Sequence, residues 1–512
     1  MTGGGPTAGF IGSIYEMTLF SRDRIRVPAA VTQGLTLLGG NTLAQIIPAI
    51  TAPILTRLYR PADFGVFAFV LAVFGVLAPV ACMRYDLAIL LPEDDAEAAH
   101  LTVLCLAISF ALAVLGLLVP ACIWLFVPGF RIHAIAPLLV MMLPIGIAAL
   151  GIQLIAQNWS LRTRNYRIQS NAIIVQAFVT VGSQTLLAAT LGSNPYFLVI
   201  GTLAGYFALV LVYMPVLRRH VLPILKMHWS FESSKRVAIS YLRFPIYTGP
   251  YVMVGQATLR GVFLVLAALS TSAIVGQYAL AQRVVLLPVF TLMAAASQLF
   301  FSRAAQNMND PRMPRMVRTA LIAGPLCIGP FFVLLVFFGE PIFMDIFGHE
   351  WQQAGRFAAI LALPSLVRTL TAWLDRVYDV SNRQRLALIV TASYAVIAIT
   401  AMYITLRMSG NPERGVECYA AITVVFYLIW LLCALRVAKF DLRMCGELVV
   451  STLVMATFMI AGNWIVVSLG VVWPARLIAD VVLTLPIVGT GAWIISKGLR
   501  ELHPRPKEAL SS

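Results

Sequence analysis

From residue 31 to residue 495 the chain is a succession of apolar runs, each of about 20 residues or more, separated by short polar breaks. At roughly 1.5 Å per residue a run of that length crosses the hydrocarbon layer of a bilayer as one α-helix. Inside that layer the backbone must satisfy its own hydrogen bonds, which leaves helices and closed barrels as the available folds. The runs are continuous and do not alternate apolar with polar residues, so a barrel is excluded. With 60% hydrophobic and 12% charged residues over 512 positions, a water-soluble fold could not hide the apolar surface. The chain reads as an all-α polytopic membrane protein of about 14 transmembrane helices. The spans lie near 31–56, 64–91, 101–127, 135–158, 170–191, 196–217, 245–269, 274–300, 320–338, 357–375, 387–406, 418–436, 447–469 and 477–495.

A formal charge of +15 would suit nucleic acid if it gathered in one patch. Most of the 37 Lys and Arg lie instead between spans, and mainly in alternate breaks: Arg22 to Arg26, Arg162 to Arg167, Arg218 to Arg243 and Arg303 to Arg318 are rich in them. That asymmetry places both termini in the cytoplasm (N-in/C-in) and removes nucleic acid as a partner. Residues Met1 to Val27 read as a cytoplasmic tail rather than a cleaved leader, because the apolar piece near Ile11 to Phe20 contains Glu16. The seven cysteines show no CxxC pairing, and the six histidines fall in breaks or near span ends. We therefore expect no disulfide, no metal site and no cofactor.

Two adjacent runs, Phe244 to Leu269 and Ser272 onward, each carry an arginine in the body of the span. An arginine at the centre of a membrane helix costs roughly 2.5–3.5 kcal/mol, more if it faces lipid, and guanidinium cannot shed its charge. Arg260 lies ten residues before Ser270 and Arg283 eleven after Ser272, so on antiparallel helices both sit about 15 Å from the turn. Two cations at one depth point to a site for an anion. Arg368, in a later span, is a third candidate, with Asp375 a candidate partner along a bent helix. Amides recur four residues apart, on one helix face: Asn41 and Gln45, Gln153 and Gln157, and Gln256 with Arg260. They suit either a polar cavity wall or hydrogen bonds between helices. Among the prolines inside spans, Pro288 follows Arg283 by about a turn and is the candidate hinge. Arg84 beside Asp86 suggests an ion pair at a span mouth. The pair Gly201 and Gly205 predicts a close helix contact.

The breaks carry motifs. RLYRPADFG runs from Arg57 to Gly65, and RYDLAILLPEDDAEA from Arg84 to Ala98. Pro61 and Asp63 suit a helix start, as do Glu93, Asp94, Asp95 and Glu97; a metal-binding acidic cluster like that of glycosyltransferases is the alternative. With FPIYTGP, GQYALAQR and QLFFSRAA further on, this set resembles the bacterial polysaccharide-biosynthesis flippases. These translocate lipopolysaccharide O-antigen or exopolysaccharide repeat units and belong to the multidrug/oligosaccharidyl-lipid/polysaccharide (MOP) exporter superfamily. The resemblance is clearest over residues 31 to 310.

That resemblance implies two pseudo-symmetric six-helix lobes working by alternating access: residues 31–217 and 244–445, joined by a basic linker at 218–243 that can rest on lipid headgroups. Spans thirteen and fourteen, at 446–496, are an appendage, and 1–30 and 497–512 are tails. A short internal echo agrees, with Phe64-Gly65-Val66-Phe67 opening span two and Val275-Gly276-Gln277-Tyr278 opening span eight. The implied function is translocation of an undecaprenyl-diphosphate-linked oligosaccharide across the bacterial inner membrane. The implied partners are that lipid-linked oligosaccharide and membrane lipids, with H+ or Na+ as candidate coupling ion. A polysaccharide polymerase and glycosyltransferases are candidate protein partners. The alternatives are a multidrug exporter, for which the spans offer few acids, an enzyme, for which no sizeable external loop is present, and an assembly scaffold.

Overall fold

The structure, a computed structural model, describes residues 29–78, 81–118, 132–163, 165–225, 230–287, 310, 312–375, 377–378, 381, 383–471 and 473–502. Among the described residues there is no strand. The helices are α1 (Ala29–Leu58), α2 (Pro61–Leu77), α3 (Asp95–Gly116), α4 (Ile132–Arg162), α5 (Tyr166–Leu191), α6 (Pro195–Val212) and the short α7 (Phe231–Ser240). They continue as α8 (Gly249–Leu269), α9 (Ser272–Leu287), α10 (Arg312–Phe347), α11 (Gln352–Thr371), α12 (Gln384–Ser409), α13 (Pro412–Ala438), α14 (Arg443–Ser468) and α15 (Ala475–Leu502). By length and composition 11 of them can cross a membrane, and three further apolar stretches, Ile46–Leu58, Pro61–Leu77 and Ser272–Leu287, are shorter.

Helix starts follow local chemistry. Asn194 and Asn411 each accept a backbone hydrogen bond, from Tyr196 N at 3.0 Å and Glu413 N at 2.9 Å, with a proline at the next position. An asparagine cap satisfies an amide the helix cannot, worth about 1 kcal/mol, and proline at the first helical position gives up a hydrogen that has no partner anyway. These two Asn-Pro starts open the sixth and twelfth predicted spans, a second echo at the same interval as Gly65 and Gly276. Asp94 caps α3 through Ala96 N at 3.0 Å, and Asp95 pairs with Arg162 at 2.8 Å. The acidic run thus starts a helix and ties it to α4. Asp63 does not cap α2; its carboxylate accepts the Ser193 hydroxyl instead.

One expectation needs correction. The span placed at 64–91 is not one helix: α2 ends at Leu77, and Tyr85–Leu90 is a separate 3-10 segment. Met83 and Arg84 precede that segment with φ of 47° and 65°, left-handed values that no helix contains.

The helices pack as two bundles. In the first, α5 lies against α1 and α6, α4 against α3 and α6, and α2 against α4 and α6. In the second, α13 lies between α11 and α12, α8 packs on α12, and α10 packs on α11. The last two helices, α14 and α15, dock on α10, and Trp473 Nε1 donates to Asp345 at 2.8 Å beside them. Gly201 and Gly205 press against Gln184 and Thr180 of α5, the close contact the spacing predicts. The bundles meet along a seam where α2 touches α8 and α1 touches α10. One core of buried residues runs across it, from Leu55, Tyr59 and Phe64 to Tyr278, Trp351 and Phe357.

One end of the seam is sealed. A Cβ on Gly65 would lie 1.6 Å from the Ser272 carbonyl oxygen, and one on Gly276 would lie 1.9 Å from that of Pro61. Only glycine permits such an approach of two helix starts. Trp351, 1% exposed, packs edge-on to Phe64 at 5.2 Å and donates from Nε1 to the Thr56 carbonyl at 2.9 Å. Gln277 accepts from Ala354 N at 2.8 Å, fastening α9 to the start of α11.

Candidate substrate site at the seam between the bundles

The helices α8 and α9 belong to the second bundle and carry the two central arginines toward the first. Arg260 is half-buried, and its guanidinium lies over Gly75 of α2; a Cβ there would stand 2.9 Å from Nε. The Tyr206 ring of α6 packs beside it, edge-on to Phe74 at 5.9 Å. Arg260 Nε is buried and has no hydrogen-bond partner. Arg283 reaches α1, where Nη2 donates to the Pro48 carbonyl at 2.9 Å. Neither arginine takes part in any of the four salt bridges among the described residues, which join Arg162, Arg318 and Arg356 to acids.

This arrangement has a clear electrostatic meaning. A guanidinium out of water is stabilised by an opposite charge or by several hydrogen bonds, and the carbonyl at Arg283 supplies one bond of the five its donors can make. The seam therefore holds positive charge with spare donors. A diphosphate, with two charges and many acceptor oxygens, is the anion class that planar guanidinium forks match best.

Arg368 is placed elsewhere. It lines, with Asp375, a cavity of about 250 Å³ inside the second bundle, together with Gln282 and a set of tyrosines. The structure thus sets Arg260 and Arg283 each against a helix of the first bundle, and Arg368 in the cavity of the second. Gln256 is half-buried on α8, one turn before Arg260. Gln153 and Gln157 lie on α4, where Gln153 Oε1 is buried without a partner. Asn41 and Gln45 fall on α1, and their side chains lie outside the described residues, as does Pro288. The expected Arg84–Asp86 ion pair does not form: Arg84 Nε and Asp86 Oδ1 are both buried without partners, and Asp86 Oδ2 accepts from Asn158 at 3.5 Å.

Sequence reasoning missed what the arginines touch. Gly75, Tyr206 and the Pro48 carbonyl come from helices distant in the chain. The only sequence signal was indirect, a pair of prolines, Pro48 and Pro53, marking α1 as irregular at that depth.

A polytopic helical membrane protein with two bundles closed over buried cations is the class this architecture defines. A family profile described as polysaccharide biosynthesis protein matches residues 54–356, more than half of the chain, and the chain belongs to that family. A comparison with curated protein sequences finds no match. Among solved structures the fold is similar to that of the lipid II flippase MurJ in an inward closed conformation. There the TM-score is 0.69 at 14% identity, over 92% of this chain and 99% of that one. It is also similar to the MATE multidrug transporter DinF-BH, with TM-score 0.52 at 16% identity, covering 83% and 100%. The family bears out the polysaccharide-biosynthesis resemblance read from the motifs, and the fold is shared with that flippase and that transporter.

Proposed function

We propose that the protein is a flippase that moves an undecaprenyl-diphosphate-linked oligosaccharide from the cytoplasmic to the periplasmic leaflet of a bacterial inner membrane. The two bundles act as lobes that rock about the seam, and no bond-making chemistry is involved. The observation that carries the reading is that Arg260 and Arg283 each reach the first bundle and, among the described residues, meet neutral groups there. The diphosphate sits between them and displaces the Pro48 carbonyl as ligand of Arg283, while the lipid tail stays in the bilayer. The polysaccharide biosynthesis family and the MurJ-like fold support the same class of substrate. H+ or Na+ remains the candidate coupling ion.

The test is translocation in proteoliposomes of a fluorescent undecaprenyl-diphosphate oligosaccharide. Wild-type protein should move it, and Arg260→Gln and Arg283→Gln should each slow transport at least ~10-fold at normal levels of folded protein. Lysine should restore only part, since a point charge cannot reproduce bidentate contacts. Full transport by both glutamine variants would remove the arginines from the substrate site. Orientation is tested separately in a cysteine-free background: cysteines at Ser193 and Ser272 should label from the periplasm, and one at Ser381 only after permeabilisation. The reverse pattern would overturn the topology.

A further inference from the structure

The faces of α8 and α9 that turn away from the seam line the cavity inside the second bundle. Thr258 and Gln282 reach into it, each within two residues of an arginine that faces the other way. Its remaining walls are of two kinds. One is flat and aromatic: Tyr394 stacks on Phe426 with centroids 4.0 Å apart and planes at 16°, and Trp430 lies 5.8 Å from Phe426. The other is made of hydroxyls. Tyr394 Oη donates to Tyr419 Oη at 3.2 Å and shares a hydrogen with Thr423 Oγ1 at 2.9 Å. Tyr278, 0% exposed, also lines the cavity, and its hydroxyl has no partner among the described residues. A buried hydroxyl without a partner is destabilising, and native folds keep one where something else supplies the bond.

Charge narrows the occupant. Arg368 and Asp375 both line the cavity, so a diphosphate gains a cation there and meets a carboxylate at once. A purely apolar ligand would leave the Tyr278 hydroxyl without a bond. A sugar ring fits both walls: its axial C–H faces lie against aromatic rings, and its hydroxyls both donate and accept. The volume, about 250 Å³, is room for a sugar unit.

We propose that this cavity is a saccharide site, taking one sugar unit of the transported glycan separately from the phosphate site at the seam. The inference rests on the flippase reading for the source of the sugar. A sugar seated there bears on the two helices that carry Arg260 and Arg283, so the identity of the glycan and the grip on its phosphate are read by one pair of helices.

The experiment uses the full chain in lipid nanodiscs and follows tryptophan fluorescence. The probes are methyl glycosides of hexoses and N-acetylhexosamines, which carry no phosphate, and inorganic diphosphate. At least one glycoside should give a saturable change. Thr423→Val and Tyr419→Phe, which keep shape and remove a hydroxyl, should weaken it about fivefold to tenfold, while Arg283→Gln leaves it unchanged. Diphosphate should behave the opposite way, weakened by Arg283→Gln and indifferent to Thr423→Val. No response to any glycoside, or one that ignores both hydroxyl deletions, overturns the saccharide site and leaves the flippase reading standing if diphosphate still binds. A response to Na+ alone, abolished by Asp375→Asn, overturns it as well. If diphosphate binding ignores Arg260→Gln and Arg283→Gln, the failure lies with the seam site instead.

Discussion

At one end of the molecule the two bundles touch backbone to backbone; at the other, the linker that joins them is held by side chains. The first end has Gly65 against Gly276 and Trp351 wedged beside Phe64. At the second, α7 rests on the first bundle through Tyr85 Oη, which donates to the Ala238 carbonyl at 3.0 Å, and through Ser234 Oγ at 3.3 Å from His100 Nδ1. His220 stacks on Trp159 close by, with centroids 5.4 Å apart and planes at 14°. Each such polar contact is worth about 0.5–1.5 kcal/mol and exchanges readily with water. A glycine-on-glycine approach has no graded version. The seam is therefore closed by shape where the bundles meet and is adaptable where they are tethered, with the arginines between.

The strongest test of that contrast is Gly276→Ala. A single methyl would sit 1.9 Å from the Pro61 carbonyl oxygen and 2.9 Å from Gly65 N, both backbone atoms that cannot swing aside. We expect at least ~3 kcal/mol of destabilisation, seen as loss of most monodisperse protein on size exclusion. Gly489→Ala, where nothing lies within 4 Å, is the matched control and should be silent. Normal yield and normal transport from Gly276→Ala would show that the seal parts easily.

A smaller effect is expected from Gly75→Ala in the middle of the seam. There the obstructed atom is Arg260 Nε, 2.9 Å from the added carbon, on a side chain that can move. The fold should survive, and transport should fall about threefold to tenfold because the guanidinium is displaced. Equal damage to folding at Gly75 and Gly276 would erase the distinction between a seal and a site.

Trp351→Phe comes next. It keeps an aromatic ring against Phe64 but removes the bond from Nε1 to Thr56, leaving a buried carbonyl unpaired. The expected cost is about 1–2 kcal/mol, read as a lower thermal midpoint in detergent with transport retained. An unchanged midpoint would mean that ring packing alone closes this end.

How much of this was legible beforehand depends on the distance over which the cause acts. Apolar run length fixes helix and membrane locally, so the class and the approximate spans follow from the sequence. The correction at Leu77 arose because hydropathy continues through Leu91 while the left-handed Met83 and Arg84 break the helix. Gly65 and Gly276 were readable as a repeat of short motifs; that they are also each other's contact is a fact of packing between helices 211 residues apart. The buried arginines announced themselves by their cost, yet nothing in the sequence distinguishes Arg283, which reaches a carbonyl of α1, from Arg368, which lines the cavity behind it.

The smallest effect lies at the tethered end and is a matter of pH. Burial against Trp159, and after it the cation of Arg219, hold the His220 imidazole below its ordinary value near 6.5; Asp95 acts the other way without cancelling them. The folded protein thus resists the proton that the unfolded chain accepts. Stability from this site is present in full above the unfolded value and is lost as the pH falls through the folded one. The thermal midpoint should decline by about one to two degrees between pH 7 and pH 5.5. His220→Gln, which cannot titrate, should flatten that part of the curve, and Trp351→Phe should leave its slope intact. If His220→Gln and wild type decline in parallel, other groups carry the dependence, and the tethered end is no more pH-sensitive than the sealed one.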